Sequence, residues 1–124
     1  MMIRMAREAD FHQWLPLWLG YQSFYKTNIP EAVTQQTWAR FLNPIEPMYC
    51  AVAEKDGLLI GMVHYIFHRS CWTAGDYVYL QDLFAAPELR GKGVGRSLID
   101  HVYAAAMRRL WVNSSAITSK CRGS

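Results

Sequence analysis

Three closely spaced glycines stand among basic residues in the segment Arg90-Gly91-Lys92-Gly93-Val94-Gly95-Arg96-Ser97. The segment follows an apolar stretch and precedes apolar residues at helical spacing, which predicts a turn from a strand into a helix. Glycines let backbone N–H groups converge on an anion without obstruction, and the first turn of a helix adds unpaired N–H donors and the positive end of its dipole. The predicted chemistry is the binding of a pyrophosphate.

The spacing of these glycines separates the known kinds of phosphate-binding loop. A P-loop is excluded because Ala86 and Gly93 stand where it requires Gly and then Ser or Thr. A dinucleotide fingerprint needs a third small residue where this chain has Arg96 or Leu98, depending on which glycine pair begins it. The alternative that stays open is a glycine-rich loop whose charges are simply solvated.

The loop and the strand before it resemble one enzyme superfamily. The pattern R-x-x-G-x-G at residues 90–95, after L-x-x-L-F-x-x-P at residues 80–87, resembles motif A of the Gcn-type N-acetyltransferases (GNAT). The resemblance covers roughly residues 3–106, and residues 14–18 and 46–48 look like a bacterial branch near the histone and polyamine acetyltransferases. In that superfamily motif A binds the pyrophosphate of acetyl-coenzyme A, so the resemblance implies acetyl-CoA as cosubstrate.

The resemblance implies two parts of a cofactor site. The main chain of Leu83, Phe84 and Ala85 would hydrogen-bond the pantetheine arm and direct an N–H at the thioester carbonyl, where it would stabilise developing negative charge. The loop would hold the pyrophosphate mostly through main-chain N–H groups, with basic side chains adding charge. The loop residues so implied are Arg90, Gly91, Lys92, Gly93, Val94, Gly95, Arg96 and Ser97.

Acid–base chemistry is predicted next to the loop, because an ammonium substrate must lose a proton before it can attack. Asp82 and His64 are predicted as the catalytic residues, since a carboxylate and an imidazole both accept protons when suitably placed. Asp82 is also predicted to attract the cationic acceptor, with Tyr21 and Tyr25 presenting π faces to it. The alternative for Asp82 is a carboxylate held in an ion pair, that for the tyrosines is burial in the core, and that for His64 is a structural role. His68 is a second candidate for a catalytic histidine.

The function implied by the resemblance is transfer of an acetyl group from acetyl-CoA to a primary amine by direct attack on the thioester. The acceptor would be a small amine, a polyamine or a lysine-like group. The chain departs from the polyamine-type pattern at Gln81, where Glu is usual, and no Tyr follows Tyr103 to protonate the thiolate. A second hypothesis is therefore a catalytically impaired coenzyme A-binding sensor or subunit, and a third is a basic interaction domain without a nucleotide ligand.

Composition predicts one small domain in the cytoplasm. The chain has 124 residues, 52% of them hydrophobic, which is enough for one core. Its net charge of +3 is partly concentrated around the loop and favours a polyanionic cofactor over nucleic acid. Three cysteines without ligand spacing predict no metal site and no disulfide framework. No apolar run approaches the length that a membrane span requires.

Apolar periodicity predicts the elements that must position these residues. Strands are expected at residues 3–5, 49–54, 58–67 and 77–84, and the last helix at 95–110. Asp10 is expected to cap a first helix that Pro16 kinks or restarts, and Thr34 or Thr37 to cap a second helix. This order is that of the first two thirds of a GNAT domain. It implies an α/β (α+β) fold with a mixed, mainly antiparallel central sheet flanked by helices.

The C-terminal region is expected to differ from that pattern. One GNAT-like domain is predicted over residues 1–112, followed by a polar tail over residues 113–124 that lacks apolar periodicity. The tail is expected to be disordered or to form a strand edge with little to bury, which makes the fold C-terminally shortened. Because an exposed sheet edge favours pairing with another chain, a homodimer is expected.

Overall fold

The computed structural model of the protein describes residues 1–72, 74–89, 91–112 and 116–119. The predicted order of one strand, two helices, three strands and a helix is confirmed, and a further short strand follows it. The elements are β1 (Met2–Met5), α1 (Phe11–Phe24), α2 (Glu31–Leu42), β2 (Met48–Lys55), β3 (Leu58–His68), β4 (Tyr77–Ala85), α3 (Val94–Val112) and β5 (Ala116–Ser119).

The strands form a single mixed sheet in the order β1-β2-β3-β4-β5. The first four strands are antiparallel to their neighbours, and β5 runs parallel to β4. The predicted mixed, mainly antiparallel sheet is therefore confirmed. The sequence predicts an exposed strand edge and a tail that is disordered or forms such an edge; in the structure, Ala116–Ser119 of that tail forms β5 and pairs with β4 along Tyr77–Leu80. Among the described residues, no helix is both long enough and apolar enough to cross a membrane.

Helices cover both faces of the sheet, and each face has its own apolar layer. On the α3 face, Val63 and Leu83 of the sheet pack with Leu98 and Val102 of the helix. The opposite layer, beneath α1 and α2, is rich in aromatic residues and contains Trp14, Trp18, Trp38, Met62 and Phe84. Because neighbouring residues of a strand point to opposite faces, β2 and β3 read as nearly continuous apolar runs.

A β-bulge interrupts the regular pairing of β3 with β4. His64 lies opposite Asp82 and Tyr65 lies opposite Leu80, so Gln81 is an extra residue on β4. A bulge shifts the alternation of side chains beyond it by one position. Leu80 accordingly belongs to the α3 layer, whereas Asp82, two residues later, lies on the α1 and α2 face with His64.

Two predictions about helix ends are wrong. The second helix is not capped by Thr34 or Thr37, because α2 already begins at Glu31, directly after the extended Pro30. Thr34 is buried instead, and its hydroxyl accepts a hydrogen bond from Trp18 Nε1 at 3.2 Å. Proline is well tolerated just outside or at the start of a helix, where its missing N–H has no intrahelical partner to lose.

The first helix also differs from its prediction. Asp10 stands directly before α1 as expected, but its carboxylate makes no cap bond to that helix and instead binds Arg4 and the Arg7 backbone N–H. The helix continues through Pro16 without restarting. A proline removes one backbone hydrogen bond, and the buried Trp14 and Trp18 on either side hold the helix against the sheet.

Candidate active site

The glycine-rich loop joins β4 to α3 as the sequence predicts. Gly91 and Gly93 have φ values of +81° and +83°, a region that residues with a side chain rarely adopt, and the space beside each Cα is open. The Ser97 N–H donates to the Gly93 carbonyl at 3.0 Å and so closes the first turn of α3. The N–H groups of Val94 to Arg96 precede that bond and have no carbonyl inside the helix to reach. Arg90 lies outside the described residues.

A glycine in β3 sets how closely this loop approaches the sheet. A Cβ atom on Gly61 would lie 2.8 Å from Val94 Cγ1 and 3.2 Å from the Phe84 carbonyl oxygen. The first turn of α3 therefore rests directly on the backbone of β3, beside the end of β4. The Ala86 N–H donates to the Ile60 carbonyl at 2.8 Å and fixes the chain where it leaves β4.

The side chains around the loop carry positive charge into solvent. Lys92 and Arg96 are exposed. Arg96 lies 3.5 Å from Asp100, but both side chains of this pair are largely exposed, at 82% and 65%. Exposed pairs of this kind are worth little and rearrange easily. Both cations are therefore available to an anion at the start of α3.

The backbone of β4 changes its surroundings at the bulge. Up to Leu80 it lies between β3 and β5, whereas from Leu83 to Ala85 the described residues supply a strand partner on the β3 side alone. Leu83 is buried in the α3 layer and Phe84 in the α1 layer, so their side chains anchor this stretch from both faces. Among the described residues, the pairing with β5 ends at Leu80, before the bulge.

A cleft opens on the face of the sheet that carries α1 and α2. Its volume is about 790 Å³, which is within the usual range of small-molecule sites. The structure brings Tyr21, Tyr25, His64 and Asp82 together in its walls, although they are far apart in sequence. Tyr21 is almost completely buried and Tyr25 is half open to solvent at the rim, with ring centroids 5.1 Å apart. These four predicted site residues therefore share one space.

Asp82 is held in this cleft by a buried chain of hydrogen bonds. Trp14 Nε1 donates to His64 Nε2 at 3.0 Å, and His64 Nδ1 lies 2.9 Å from Asp82 Oδ2. An indole N–H can only donate, so His64 Nε2 must accept its hydrogen bond. The proton of the imidazole is then on Nδ1, and the Nδ1–H group donates a hydrogen bond to Asp82 Oδ2. His64 is thereby fixed in one tautomer. Its Nε2 lone pair is not available to a substrate, so the geometry assigns His64 the orientation of Asp82.

Cys50 is the nearest residue that could act as a nucleophile, because it pairs with His64 across β2 and β3. Cysteine acts as the thiolate. Burial raises the pKa of the Cys50 thiol far above its usual range, and the negative charges of Asp10 and Asp82 raise it further. The thiol of Cys50 is therefore held in its protonated form, which is a poor nucleophile.

His68, the second histidine candidate, does not line the cleft. It is exposed at the end of β3, and its Nδ1 contacts the Arg69 carbonyl. Sequence reasoning missed Trp14 as the partner of His64 and missed Arg40, which lines the cleft from α2. The four-residue spacing of Trp14 and Trp18 predicts that both lie on one face of a helix. It does not predict that this face packs on His64.

Comparison with known proteins agrees with this geometry. The model of the Acetyltransferase (GNAT) family matches residues 8–118. A D-amino-acid N-acetyltransferase of Saccharomyces cerevisiae is 38% identical over 106 residues, covering 84% of this chain and 66% of the yeast protein. A thialysine N-epsilon-acetyltransferase of Mus musculus is 28% identical over 116 residues, covering 86% of this chain and 68% of the mouse protein. The chain thus spans about two thirds of the length of these relatives.

Solved structures share the fold. A probable acetyltransferase superposes with a TM-score of 0.81 at 19% identity, covering 97% of this chain and 79% of the other. An aminoglycoside N-acetyltransferase in complex with CoA superposes with a TM-score of 0.68 at 17% identity, covering 96% of this chain and 78% of the other. The predicted fold class is confirmed by these likenesses together with the observed sheet.

Proposed function

The chain belongs to the GNAT acetyltransferase family, and from that premise we propose that it transfers an acetyl group from acetyl-CoA to a primary amine. The relatives are named for the acetylation of D-amino acids and of thialysine, which are both amines. The observation that carries the proposal is the position of Asp82. The bulge at Gln81 turns the Asp82 carboxylate into the cleft, near the end of β4, which is the strand that leads to the glycine loop.

The residues of the loop fit a coenzyme pyrophosphate. Gly91 and Gly93 have open space at the position of a Cβ, so that the backbone can approach an anion closely. The N–H groups at the start of α3 would hold the phosphate oxygens, with Lys92 and Arg96 adding charge. The neighbouring residues Val94, Gly95 and Ser97 contribute through the same turn, and Arg90 is proposed from the motif alone.

The chemistry of the chain's own residues follows from this placement. Bound acetyl-CoA would supply an activated acetyl thioester. An uncharged amine would attack it directly, and the C–S bond would break as the amide C–N bond forms, so that coenzyme A leaves as its thiol with a proton released by the amine. The Asp82 carboxylate, held by His64, would take the proton of the incoming ammonium group, directly or through one water molecule. Beyond the stretch that pairs with β5, the main chain of β4 at Leu83, Phe84 and Ala85 would bind the pantetheine arm and direct an N–H at the reacting carbonyl.

A thiol-release assay with acetyl-CoA and a panel of amines tests catalysis. Asp82→Asn keeps the shape of the side chain but cannot take a proton. We expect its kcat to fall by about 100- to 10,000-fold, the usual contribution of a general base, while coenzyme A still binds. If the wild-type protein binds coenzyme A but acetylates no amine, the sensor or subunit hypothesis replaces this one.

Calorimetry with coenzyme A tests the loop, and the chain offers a matched control. Gly93 and Gly57 have nearly equal φ values of +83° and +79° and equally open surroundings, but Gly57 lies in the turn between β2 and β3. Alanine at either position costs about 1–2 kcal/mol of backbone strain. We expect Gly93→Ala to weaken coenzyme A binding and Gly57→Ala to leave it unchanged. Equal affinities in both variants would contradict the assignment of the loop.

The cytoplasmic location and the homodimer predicted from the sequence remain proposals. Pairing of two chains would extend the sheet beyond its described edge. Light scattering at micromolar concentration distinguishes a dimer from a monomer, and a well-behaved monomer would contradict the dimer.

A further inference from the structure

The cleft carries opposite charges on two different walls. Asp82 lies on β4 beside His64, whereas Arg40 lies on α2. The ring of Phe41 lies 4.7 Å from the His64 ring, which packs this end of α2 directly over the middle of the sheet. Arg40 directly precedes Phe41 in the sequence and lines the same cleft. Because Arg40 is exposed and Asp82 is buried, Arg40 lies at the rim of the cleft and Asp82 lies deeper in it.

The guanidinium of Arg40 is not engaged by another side chain in the part of the chain that the structure describes. Ion pairs there involve other arginines, namely Arg4, Arg69, Arg96 and Arg109. Among the described residues, the contact within 4 Å that Asp82 makes to a basic side chain is with His64 and not with Arg40. The cleft thus has a carboxylate at its floor and a separate, uncommitted guanidinium at its rim.

Apolar and aromatic side chains share the lining of the cleft with polar ones. Trp18, Phe41, Met48 and Ile66 offer carbon surface to the side chain of a ligand, and Thr27, Thr37 and Gln81 line the same space. Arginine presents a planar fork of donors that matches a carboxylate. The same positive charge would repel the second ammonium group of a diamine or polyamine.

We infer that Arg40 binds the carboxylate of the acceptor, so that the acceptor is an amino acid whose amine faces Asp82. The inference rests on the proposed function, because it takes Asp82 as the residue that meets the reacting amine. It narrows the acceptor from amines in general to molecules that carry an amine and a carboxylate, and it disfavours polyamines.

Matched acceptors test this assignment. We would assay a panel of D- and L-amino acids, each beside its carboxamide and its decarboxylated amine, with acetyl-CoA at saturation. We expect wild-type kcat/KM to be about 10- to 100-fold higher for the amino acid, as for the loss of a hydrogen-bonded charge. Arg40→Ala should remove this preference mainly through KM, and Arg40→Lys, which keeps the charge but not the fork, should retain part of it.

Lys55→Ala is the control, because it removes one exposed positive charge from the end of β2, and Lys55 does not line the cleft. It should keep the full preference for the carboxylate. The inference is overturned if the wild-type protein prefers the amide or the decarboxylated amine, or if Arg40→Ala lowers kcat/KM equally for all three compounds.

A binding measurement separates this inference from the proposed function. Trp18 lines the cleft, so its fluorescence reports occupancy without any reaction. If amino acids bind in preference to their amides and Arg40→Ala abolishes this, but no acceptor is acetylated, the proposed function fails and the carboxylate site stands. If binding ignores the carboxylate, the Arg40 assignment fails whether or not amines are acetylated.

Discussion

Substitutions of His64 can show whether this residue orients the Asp82 carboxylate or itself transfers a proton. Its ring makes two different bonds, from Nδ1 to Asp82 and from Trp14 to Nε2. In His64→Asn, the amide nitrogen replaces Nδ1 and can still donate to Asp82. In His64→Gln, the longer amide reaches the position of Nε2 and can still accept from Trp14. Each variant therefore keeps one bond and loses the other.

The expected magnitudes follow from the burial of these groups. The side chains of His64 and Asp82 are 3% and 9% exposed, and a hydrogen bond to a charged group in such a place contributes about 1.5–3 kcal/mol. If the bond to Asp82 is needed in the transition state, its loss in His64→Gln lowers kcat by about 10- to 100-fold. His64→Asn leaves the Trp14 N–H without an acceptor, which costs about 1–3 kcal/mol of folding free energy but little kcat.

Steady-state kinetics and urea unfolding measure the two effects independently. Asn is one methylene smaller than Gln, which adds about 0.8 kcal/mol to the cavity cost of His64→Asn. We expect both variants to be less stable than the wild type, because each leaves one buried polar group without its partner, and we expect only His64→Gln to lose kcat by the larger factor. If both variants lost as much kcat as Asp82→Asn, His64 would be a base in its own right. If neither lost kcat, the hydrogen bond to Asp82 would have no part in the reaction.

Three further predictions concern the frame around the site. Gly61→Ala places a Cβ 2.8 Å from Val94 Cγ1, so we expect a loss of about 1–3 kcal/mol in urea unfolding together with weaker coenzyme A binding; unchanged stability would contradict the close packing of α3. The hydrogen bond from Arg4 lowers the pKa of Asp10 below its usual value. The ionised Asp10 carboxylate therefore stabilises the fold above about pH 4, and this stabilisation is lost as the pH falls through the lowered pKa. Asp10→Asn should flatten the acid limb of the pH–stability curve. Burial lowers the pKa of His101, so stability should decline as the pH falls below about 6.5, and His101→Phe should remove that decline in thermal unfolding between pH 7 and 5.

The parts of the site that depend on neighbouring residues could be predicted from the sequence. The glycines of the loop and the start of α3 are local features, because a positive φ and an unpaired helix end need no distant partner. The bond between Trp14 and His64 joins residues 50 positions apart and leaves no periodic signal. Arg40 on an exposed helix face looks like any solvated charge until the cleft beside it is known. Threonine is a common N-cap residue, so Thr34 is predicted to begin a helix, but α2 begins earlier, at Glu31, directly after Pro30.

Under the proposed function, the bulge at Gln81 would let one strand serve two ligands. With strict alternation, Asp82 would point to the same face as Leu80 and lie under α3, away from the cleft. The extra residue turns Asp82 toward α1 and α2, and Leu83 returns to the α3 layer, where it packs against the helix that begins at the glycine loop. Beyond the bulge the side chains of Leu83 and Phe84 anchor the main chain from both faces, while the Asp82 carboxylate faces the cleft. Changes in α1 and α2, including those at Arg40, can then alter the choice of acceptor without moving the strand that we propose binds coenzyme A.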